Sequence, residues 1–567
     1  MEIRKITEEE IVEELKKANP RFTNCIFPSD TKIDLSKFNC LRISLNNVEA
    51  HSLSFRNSKT KIGFWFEGCK KLNHLSFKNC ILGYTRINLT NINGGLRFEN
   101  CKADKFAMST STVIDGWLNF DNCVVKENIQ LTRVDLTYGL KIYKCEQIGW
   151  IRIDGLECFS GALAISKSII SDYVICANSI HLESIQLHGS KFGSRFVVEG
   201  GILKRLLIEE CDFERSFSFN YKNSDLDSGS NMEIIDVCRI EKTFFGDGFE
   251  LVGNDNINFI VNELILFCNE SLKGDMVFKN LTLTNLLIKG ILSNGNLSFA
   301  GIITKEIQIS GFDNQANFKL RHIVPLENST FALVNSDLGN AYLNDIDFNK
   351  FSKVIINKST LSNIHYSDIK WSDKIEIAEE QFEPDGPEKD IRLHNSYRQL
   401  KQAASNNQNK IDELLFRGKE WHFIQKAGVN KNEAWYWRLN DWIILFSNKS
   451  NSFGTNWINP ILWLLVSNLF FFVLILIGIN EKVSIFEWSQ PLAIGDLLTL
   501  CYDKFWLYLH FLNPTHNLKH FEPLLPSPEF TGFINNGWAM TLNVLMRLTT
   551  AYFIYQTISA FRKFSKK

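Results

Sequence analysis

The feature that most constrains this chain is a six-residue pattern that returns about every 22 residues. The pattern reads apolar, variable, apolar, variable, polar, small, as in LSFKNC at 75–80, LRFENC at 96–101 and LNFDNC at 118–123. Eight consecutive copies begin at residues 53, 75, 96, 118, 140, 163, 185 and 206. After the polar stretch 220–231, further copies begin at residues 264, 286, 307, 331 and 354. A fixed period of this length indicates an architecture in which each repeat packs on its neighbours.

Each copy alternates apolar and variable positions, which predicts a short β-strand with one buried face. A strand this short is not stable alone, so we predict a mainly β N-terminal parallel β-helix of about fourteen coils. Its core would stack two apolar columns, which begin with Leu53 and Phe55. An asparagine ladder and a stack of small buried thiols would follow the two columns: Asn57, Asn79, Asn100 and Asn122, then Cys80, Cys101, Cys123 and Cys145.

Charge and motifs exclude several classes of protein. With 62 Lys+Arg against 63 Asp+Glu, a dedicated nucleic-acid coat is not expected. The sequence has no P-loop, GxSxG, HExxH or zinc-ligand spacing, so we predict no enzyme, no catalytic residue, no metal and no cofactor. His516 and His520 have the i, i+4 spacing of a metal pair, but Pro514 disfavours the helix that such a pair needs. The charged N-terminus lacks the apolar core of a secretory signal, which predicts a cytoplasmic solenoid with reduced cysteines.

Composition and periodicity divide the chain into five predicted parts. They are an N-terminal helix and cap (1–40), the β-helix solenoid (41–375), a linker (376–390), juxtamembrane helices (391–455) and a two-helix transmembrane pore-like domain (456–567). Residues 460–479 contain no charge and are long enough to cross a hydrocarbon core of about 30 Å. A second span is predicted at 538–561, and the basic tail after it places both termini in the cytoplasm by the positive-inside rule.

Four polar residues share one stripe of the second predicted span: Asn543, Arg547, Thr550 and Thr557. A charge such as that of Arg547 is costly in the middle of a membrane and needs compensation. Two interpretations remain open. In one, several copies bring the stripe to a shared axis, where it lines a conducting pore. In the other, Arg547 pairs within its own protomer with Asp496 or Asp503 and fixes helix packing. These two aspartates interrupt an apolar stretch at 494–513 that has the pattern of a re-entrant pore helix.

Several segments carry a resemblance to known proteins. SDLGNAYLNDIDFNKF at 336–351 looks like loosened pentapeptide repeats, and residues 397–421 and 555–567 are similar to parts of bacterial membrane-anchored pentapeptide-repeat proteins. The order of helix, apolar half-helix and helix resembles two-helix ion-channel subunits. The whole layout resembles the ion-channel effectors of Hailong-type anti-phage defence. This resemblance implies a multi-pass protein of the bacterial inner membrane, in contact with lipid, that assembles as a homo-oligomer, with a tetramer favoured by analogy.

The resemblance also implies that the cytoplasmic β-helix senses a nucleotide or a single-stranded oligonucleotide and gates membrane depolarisation. Such a ligand needs cations beside stacking rings. The sequence offers seven candidate ligand-binding residues: Lys141, Tyr143, Lys144, Arg152, Arg195, Lys204 and Arg205. The alternative function is a membrane-tethered β-helix scaffold that binds a protein partner without conducting ions.

Overall fold

The structure is a computed structural model that divides the chain into two compact units, Met1–Ala378 and Glu379–Lys567. The residues that it describes are 3–155, 161–177, 181–199, 202–220, 234–253, 259–269, 274–372, 374–377, 386–427, 450, 457–479, 502, 505–516 and 537–565. All but the first residue of the polar stretch 220–231 lie outside these residues.

The first unit is a parallel β-solenoid whose described strands belong to one sheet. In chain order the strands are β1 Arg4–Lys5, β2 Arg21–Ile26, β3 Asp30–Asp34, β4 Arg42–Arg56, β5 Ile62–Glu67, β6 Lys71–Lys78, β7 Ile81–Asn88, β8 Asn91–Glu99, β9 Lys102–Ile114, β10 Trp117–Asp121, β11 Val124–Leu136, β12 Gly139–Tyr143, β13 Gln147–Asp154, β14 Ala162–Ser166, β15 Ile169–Ile170, β16 Val174–Ala177, β17 His181–His188, β18 Lys191–Phe192, β19 Phe196–Glu199, β20 Ile202–Glu209, β21 Asp212–Phe213, β22 Ser216–Asn220, β23 Ile234–Glu241, β24 Phe244–Phe245, β25 Gly248–Val252, β26 Phe259–Cys268, β27 Asp275–Leu292, β28 Asn296–Asn314, β29 Asn317–Val334, β30 Tyr342–Asp347, β31 Lys353–Asn357 and β32 His365–Lys370. Two short 3-10 helices, Leu35–Lys37 and Phe348–Lys350, interrupt them.

The predicted six-residue repeats stack in register, and every predicted copy is confirmed as one step of the solenoid. Leu118, for example, pairs with Leu96 on one side and with Leu140 on the other. About 15 coils stack at this position: Thr31, Leu53, Leu75, Leu96, Leu118, Leu140, Leu163, Ile185, Leu206, Cys238, Leu264, Leu286, Ile307, Phe331 and Val354. The sequence pattern missed two of these coils, at Thr31 and Cys238, because a hydroxyl and a thiol replace the leading aliphatic residue there.

The two predicted apolar columns form the core. Leu53, Leu118 and Leu140 are 0% exposed. In the neighbouring column, the rings of Phe77 and Phe98 stack at 4.9 Å with planes 4° apart, and those of Phe98 and Phe120 at 4.8 Å with planes 6° apart. Burying one such ring contributes about 1.5–3 kcal/mol, so the repetition of the column supplies much of the stability of the solenoid.

The predicted asparagine ladder occupies one corner of the coil. Asn57, Asn79, Asn100 and Asn122 have φ between 52° and 55°, in the left-handed region that asparagine tolerates better than most residues. The amide nitrogen of each asparagine donates to the amide oxygen of the one before it, at 3.2 Å, 3.3 Å and 2.7 Å along the ladder. The ladder thus stabilises the turn and joins successive coils at once.

Three of these corners, at Asn79, Asn100 and Asn122, are followed by a cysteine that is buried beside its own turn. The thiol of Cys101 donates to the Glu99 carbonyl two residues earlier, at 3.3 Å, and its sulfur lies 3.4 Å from the Phe77 carbonyl. In a later coil Ser168 makes the same local bond to the Ser166 carbonyl at 2.8 Å. The position therefore needs a small side chain with a donor. All described cysteines are free thiols, and burial raises the pKa of Cys176 to about 12, which disfavours the reactive thiolate.

A second left-handed corner lies about half a coil from the first. Gly68, Leu89, Ser111, Arg133 and Gly155 have φ of 66°, 46°, 52°, 51° and 63°. These positions fall 10 to 11 residues after the corners that precede them, so each of these coils consists of two similar halves. The sequence pattern showed only the full period, because the second corner has no recurring residue type.

Helix α1, Glu8–Leu15, precedes the first full coil. The Thr7 side chain accepts from the Glu10 amide and the Glu10 carboxylate accepts from the Thr7 amide, which is a complete capping box. Ile11 and Leu15 are buried, and the Cys40 thiol donates to the Leu15 carbonyl at 3.1 Å.

The second unit is helical. Helices α2, Pro387–Asn406, and α3, Lys410–Ala427, form a hairpin in which the Tyr397 and Phe423 rings stack at 5.4 Å. They are followed by α4, Ile458–Ile479, a short α5, Phe505–Phe511, and α6, Gly537–Ser565. Within the described residues one helix, α4, is long and apolar enough to cross a membrane, over Ile458–Ile475. The second predicted span, 538–561, lies within the single helix α6, which is long enough but less apolar.

The Asn100 corner provides a test of why asparagine recurs there. We expect Asn100→Ala to destabilise the protein by about 2 kcal/mol, because alanine is strained at positive φ and two ladder bonds are lost. Asn100→Gly loses the same bonds without the strain, so it should cost about 1 kcal/mol less. The measurement is denaturant unfolding of the full-length protein in detergent, monitored by circular dichroism.

Arg97→Ala is the control for this test, because Arg97 lies on an exposed face of the same coil and its ion pairs are at the surface. It should change the free energy of unfolding by less than about 0.5 kcal/mol. Equal destabilisation by the alanine and glycine variants at residue 100 would show that backbone conformation is not what selects asparagine.

Candidate functional site

Helices α4 and α6 run antiparallel and are joined by a buried hydrogen bond at their centres. Trp457, just before α4, contacts Phe561 near the end of α6, with ring centroids 5.0 Å apart. Midway along both helices, the Thr550 hydroxyl lies 2.9 Å from the Asn468 side-chain oxygen and 2.7 Å from the Met546 carbonyl of its own helix, and it shares its hydrogen between these two acceptors. Both Asn468 and Thr550 are 0% exposed. Around this bond lies an apolar core formed by Phe472, Ile475, Tyr508, Phe511, Ala539, Leu542 and Met546.

Helix α6 is apolar on both its packed face and its open face. The packed face carries the polar Asn543 and Thr550, which are 2% and 0% exposed, beside the buried Ala539, Leu542 and Met546. Its open face is largely apolar, with large exposed side chains at Val544, Leu545, Leu548, Tyr555, Ile558 and Phe561. A helix on the surface of a soluble protein turns its polar side outward. An apolar outward face with buried polar groups at the contact between helices is typical of a helix in lipid.

The short helix α5 packs against α4 and ends in an irregular turn. The Tyr508 hydroxyl donates to the Leu465 carbonyl of α4 at 2.8 Å, which is the kind of partner a buried phenol needs. After Phe511 the chain turns at Asn513, whose side-chain oxygen accepts from the backbone amide of Thr515 at 3.0 Å. The turn ends at His516, whose backbone amide donates to the Asn513 carbonyl at 3.1 Å.

Arg547 of α6 holds this turn. Its Nη2 donates to the backbone carbonyl of His516 at 2.6 Å. Its Nε is buried and, within the part of the chain that the structure describes, has no hydrogen-bond partner. The guanidinium is thus compensated by the negative end of a peptide dipole. Asp496 and Asp503, the two partners considered from the sequence, lie outside the described residues.

The imidazole of His516 contacts Asn543, which lies one helical turn before Arg547 on α6. His516 is 5% exposed, and its Nε2 lies 2.9 Å from Oδ1 of Asn543 on α6. Its Nδ1 lies 2.8 Å from the Asn513 carbonyl oxygen, and the Phe511 ring packs against it edge-on at 4.8 Å. Asn543 and Arg547 therefore fasten the same residue to α6, one through its ring and one through its backbone.

The structure brings together three of the four stripe residues predicted from the sequence. Asn543, Arg547 and Thr550 contact the turn or α4, whereas the Thr557 hydroxyl donates at 2.8 Å to the Phe553 carbonyl of its own helix. Whether any of them lines a pore stays a prediction. Sequence reasoning missed the role of Asn468, although an amide inside an uncharged apolar helix is itself a signal.

The candidate ligand-binding residues on the solenoid fall in different coils. Lys141 and Tyr143 lie on the same, outward side of β12. The ammonium of Lys144, which follows this strand, lies 5.0 Å from the centre of the Tyr143 ring. Lys204 and Arg205 lie on β20, three coils further along. Ion pairs engage two of the arginines: Arg152 with Asp154 at 3.1 Å and Arg205 with Glu183 at 2.7 Å. Arg195 lies just before β19. Ligand binding by this set also stays a prediction.

The fold and the helical unit together define a class: a parallel β-solenoid, consistent with a pentapeptide-repeat-like β-helix, followed by a helical region with one candidate membrane-spanning helix. No family model, curated protein or solved structure matches the chain. Among the described residues, no group of three or more His, Cys, Asp or Glu side chains is placed to hold a metal ion.

The bond between Asn468 and Thr550 can be tested by a double-mutant cycle. We expect Asn468→Leu and Thr550→Val to show a coupling energy of about 0.6–1.7 kcal/mol, the range for hydrogen bonds between membrane helices. The measurement is unfolding of the full-length protein in mixed micelles.

Thr549→Val is the matched control for Thr550→Val. The Thr549 hydroxyl donates to carbonyls of its own helix, Leu545 and Met546, both at 2.9 Å. Its cycle with Asn468→Leu should therefore give a coupling energy close to zero. Equal coupling in the two cycles would contradict the bond.

Proposed function

We propose that the protein is an oligomeric membrane ion channel whose cytoplasmic β-solenoid senses a ligand and controls conductance. The observation that carries the proposal is the exposed apolar face of α6, together with the arginine that ties an irregular turn to this helix. The lines of support are the dimensions of the helices, the geometry of the turn and the unpaired apolar faces.

In the proposed arrangement both α4 and α6 cross the membrane. In α4, 22% of the apolar stretch Ile458–Ile475 is buried inside the protein, whereas the core helix of a soluble protein is mostly buried. For α6, the distance from Trp538 to Phe561 is about 35 Å at 1.5 Å per residue, which matches a hydrocarbon core of about 30 Å with an aromatic residue at each interface.

The turn after α5 gives the proposed channel its re-entrant element. Non-helical backbone at membrane depth is tolerated where it is buried in protein or lines a water-filled cavity. The turn at Asn513 and His516 is such a backbone, and Arg547 supplies a donor to one of its carbonyls. A partly exposed arginine beside an irregular turn is suited to a constriction that passes anions or forms a gate.

Oligomerisation is part of the proposal, because two long helices from one protomer cannot enclose a pore. The exposed apolar faces of α4 and α6 would be shared between lipid and neighbouring copies. A tetramer is favoured by the resemblance to two-helix channel subunits. The same resemblance favours a bacterial inner-membrane protein with both termini cytoplasmic, acting as an effector of anti-phage defence.

The ligand of the solenoid is proposed to be a nucleotide or a single-stranded oligonucleotide. The support is the pairing of cations with rings, as at Lys144 and Tyr143. A ligand can shift a channel between states only by the difference between its affinities for the two states. Binding on the solenoid must therefore differ between the open and the closed protein.

A membrane-tethered scaffold is the second candidate, and a specific observation favours it. Asn543 and Thr550 are buried and make hydrogen bonds inside the protomer, as expected if the stripe fixes helix packing. In this case the two helices would only anchor the chain, and the solenoid would bind a protein partner.

Ion flux through liposomes that contain the purified full-length protein separates the two candidates. If the protein is a channel, Arg547→Leu should change flux by about tenfold, which corresponds to about 1.4 kcal/mol in a barrier, and should shift the preference between anions and cations. Arg562→Gln, at the exposed end of the same helix, is the control and should leave flux within about twofold.

Flux that neither variant alters would contradict a role of Arg547 in conduction. A stable monomer that carries no flux with or without oligonucleotides would contradict the channel itself and favour the scaffold. Cross-linking in the same liposomes measures the number of subunits.

A further inference from the structure

Two large aromatic side chains stand exposed on neighbouring coils of the solenoid. Trp117, the first residue of β10, is 38% exposed, and Tyr138, just before β12, is 55% exposed. Within the described part of the chain, neither side chain makes a hydrogen bond or a ring contact. The two rings therefore differ from the phenylalanines of the core, whose faces are occupied by the rings of adjacent coils.

Glycine occupies the equivalent position in the coils on both sides of each ring. The in-register neighbours are Gly95 and Gly139 for Trp117, and Gly116 and Gly161 for Tyr138. Neighbouring coils lie about 4.8 Å apart, so the next side chains along the stack stand about 10 Å or more from either ring. Atoms in contact need only about 3.5–4.0 Å, which leaves room for a flat group to stack on a ring face.

Backbone packing accounts for the glycines but not for the two rings. A Cβ added at Gly116 would overlap the backbone of Gly94, and one added at Gly139 would overlap the backbone of Ala162. Close approach of the coils thus excludes side chains at these positions. Nothing in this packing calls for an indole or a phenol beside them, so the rings need another explanation.

Two cations flank Trp117 on the same outward face. Arg97 and Lys141 pair in register with Asn119, two residues after Trp117, so each is a diagonal neighbour of the indole at about 8 Å. Arg97 is engaged by two carboxylates, at 3.4 Å and 3.2 Å. Lys141 is exposed and has no ion pair with any residue that the structure describes. An open ring face and an unpaired ammonium beside it are complementary to a base and its phosphate.

We infer that Trp117 and Tyr138 form a stacking platform for the base of a nucleotide ligand, and that Lys141 contacts its phosphate. The inference rests on the proposed function, which supplies the nucleotide, and it adds the place on the solenoid where the ligand binds. Of the seven candidate residues it selects Lys141, and it adds two rings that the sequence pattern did not single out. The shared chemistry, a base with its phosphate, belongs to a mononucleotide and to a single strand alike.

Binding to the full-length protein in detergent tests the platform without reference to conductance. The probe is a fluorescein-labelled oligothymidylate of about ten nucleotides, followed by fluorescence anisotropy. Trp117→Ala and Tyr138→Ala should each weaken binding by about tenfold, because a stacking face is lost. Trp117→Phe keeps a ring and should retain most of the affinity. Lys141→Gln should weaken binding and lower the slope of log affinity against log salt concentration by about 0.7, as for one lost phosphate contact on a single strand.

Matched controls separate the platform from general attraction of nucleic acid. Trp150→Ala removes a ring whose face is already occupied by Tyr173 at 5.3 Å, so it should leave the affinity within about twofold. Asp115→Asn removes an exposed carboxylate next to Gly116 and should strengthen binding. An abasic oligomer of the same length keeps the phosphates but offers no base to stack, so it should bind about tenfold more weakly.

Competition by unlabelled thymidine monophosphate identifies the source of the ligand. Displacement by the monophosphate supports a mononucleotide site, and displacement only by the unlabelled strand supports a single-strand site.

Other results decide between the platform and the channel. Wild-type protein that binds neither probe, or binds the abasic oligomer equally well, overturns the platform and leaves a channel that carries flux standing. Binding that requires Trp117, without flux under any condition, supports the platform and overturns the channel. If Trp117→Ala does not fold, unchanged affinity in both Tyr138→Ala and Lys141→Gln overturns the platform.

Discussion

Stacking of equivalent residues from coil to coil is the constraint on which the solenoid depends. Parallel pairing places each side chain directly over its counterpart in the next coil, so every position must tolerate a copy of itself. Phenylalanine rings meet this condition by stacking nearly flat, and asparagine amides by donating along the ladder. A charge at an inward position would be repeated next to itself, which explains why the inward columns are apolar or carry small donors.

Helices α4 and α6, which the proposed channel places in the membrane, use polar side chains in a different way from the solenoid. In the solenoid a polar side chain serves a turn at the edge of an apolar core, whereas in α4 and α6 it lies at the centre of the helix pair. In lipid the apolar surface gains nothing by turning inward, so contact between helices relies on packing and hydrogen bonds. In the proposed membrane arrangement, the bond between Asn468 and Thr550 and the contacts of Arg547 would contribute in this way to the contact between helices.

The sequence predicts what repeats and misses what varies. The full coil was visible because leucine, phenylalanine, asparagine and cysteine recur at fixed positions. The half-coil was not, because glycine, leucine, serine and arginine all occupy its corner, where only the backbone conformation is shared. The polar stripe of α6 was likewise predicted by spacing alone. Spacing places residues on one face of a helix but does not say what that face contacts. The contact with His516 joins residues about 30 positions apart, beyond the reach of any local pattern.

A helix pair that only anchors the protein does not need the hydrogen-bonded polar groups that the second unit contains. Replacing buried polar or ionic groups by apolar residues of similar volume is often neutral or stabilising, so two leucine-rich helices would hold a scaffold at least as well. The chain instead places a guanidinium near the middle of α6. This guanidinium, a carbonyl, an imidazole and an amide together hold the turn that ends at His516. A gate requires an element with two accessible states, and in the proposed channel a ligand on the solenoid would have to bias that element.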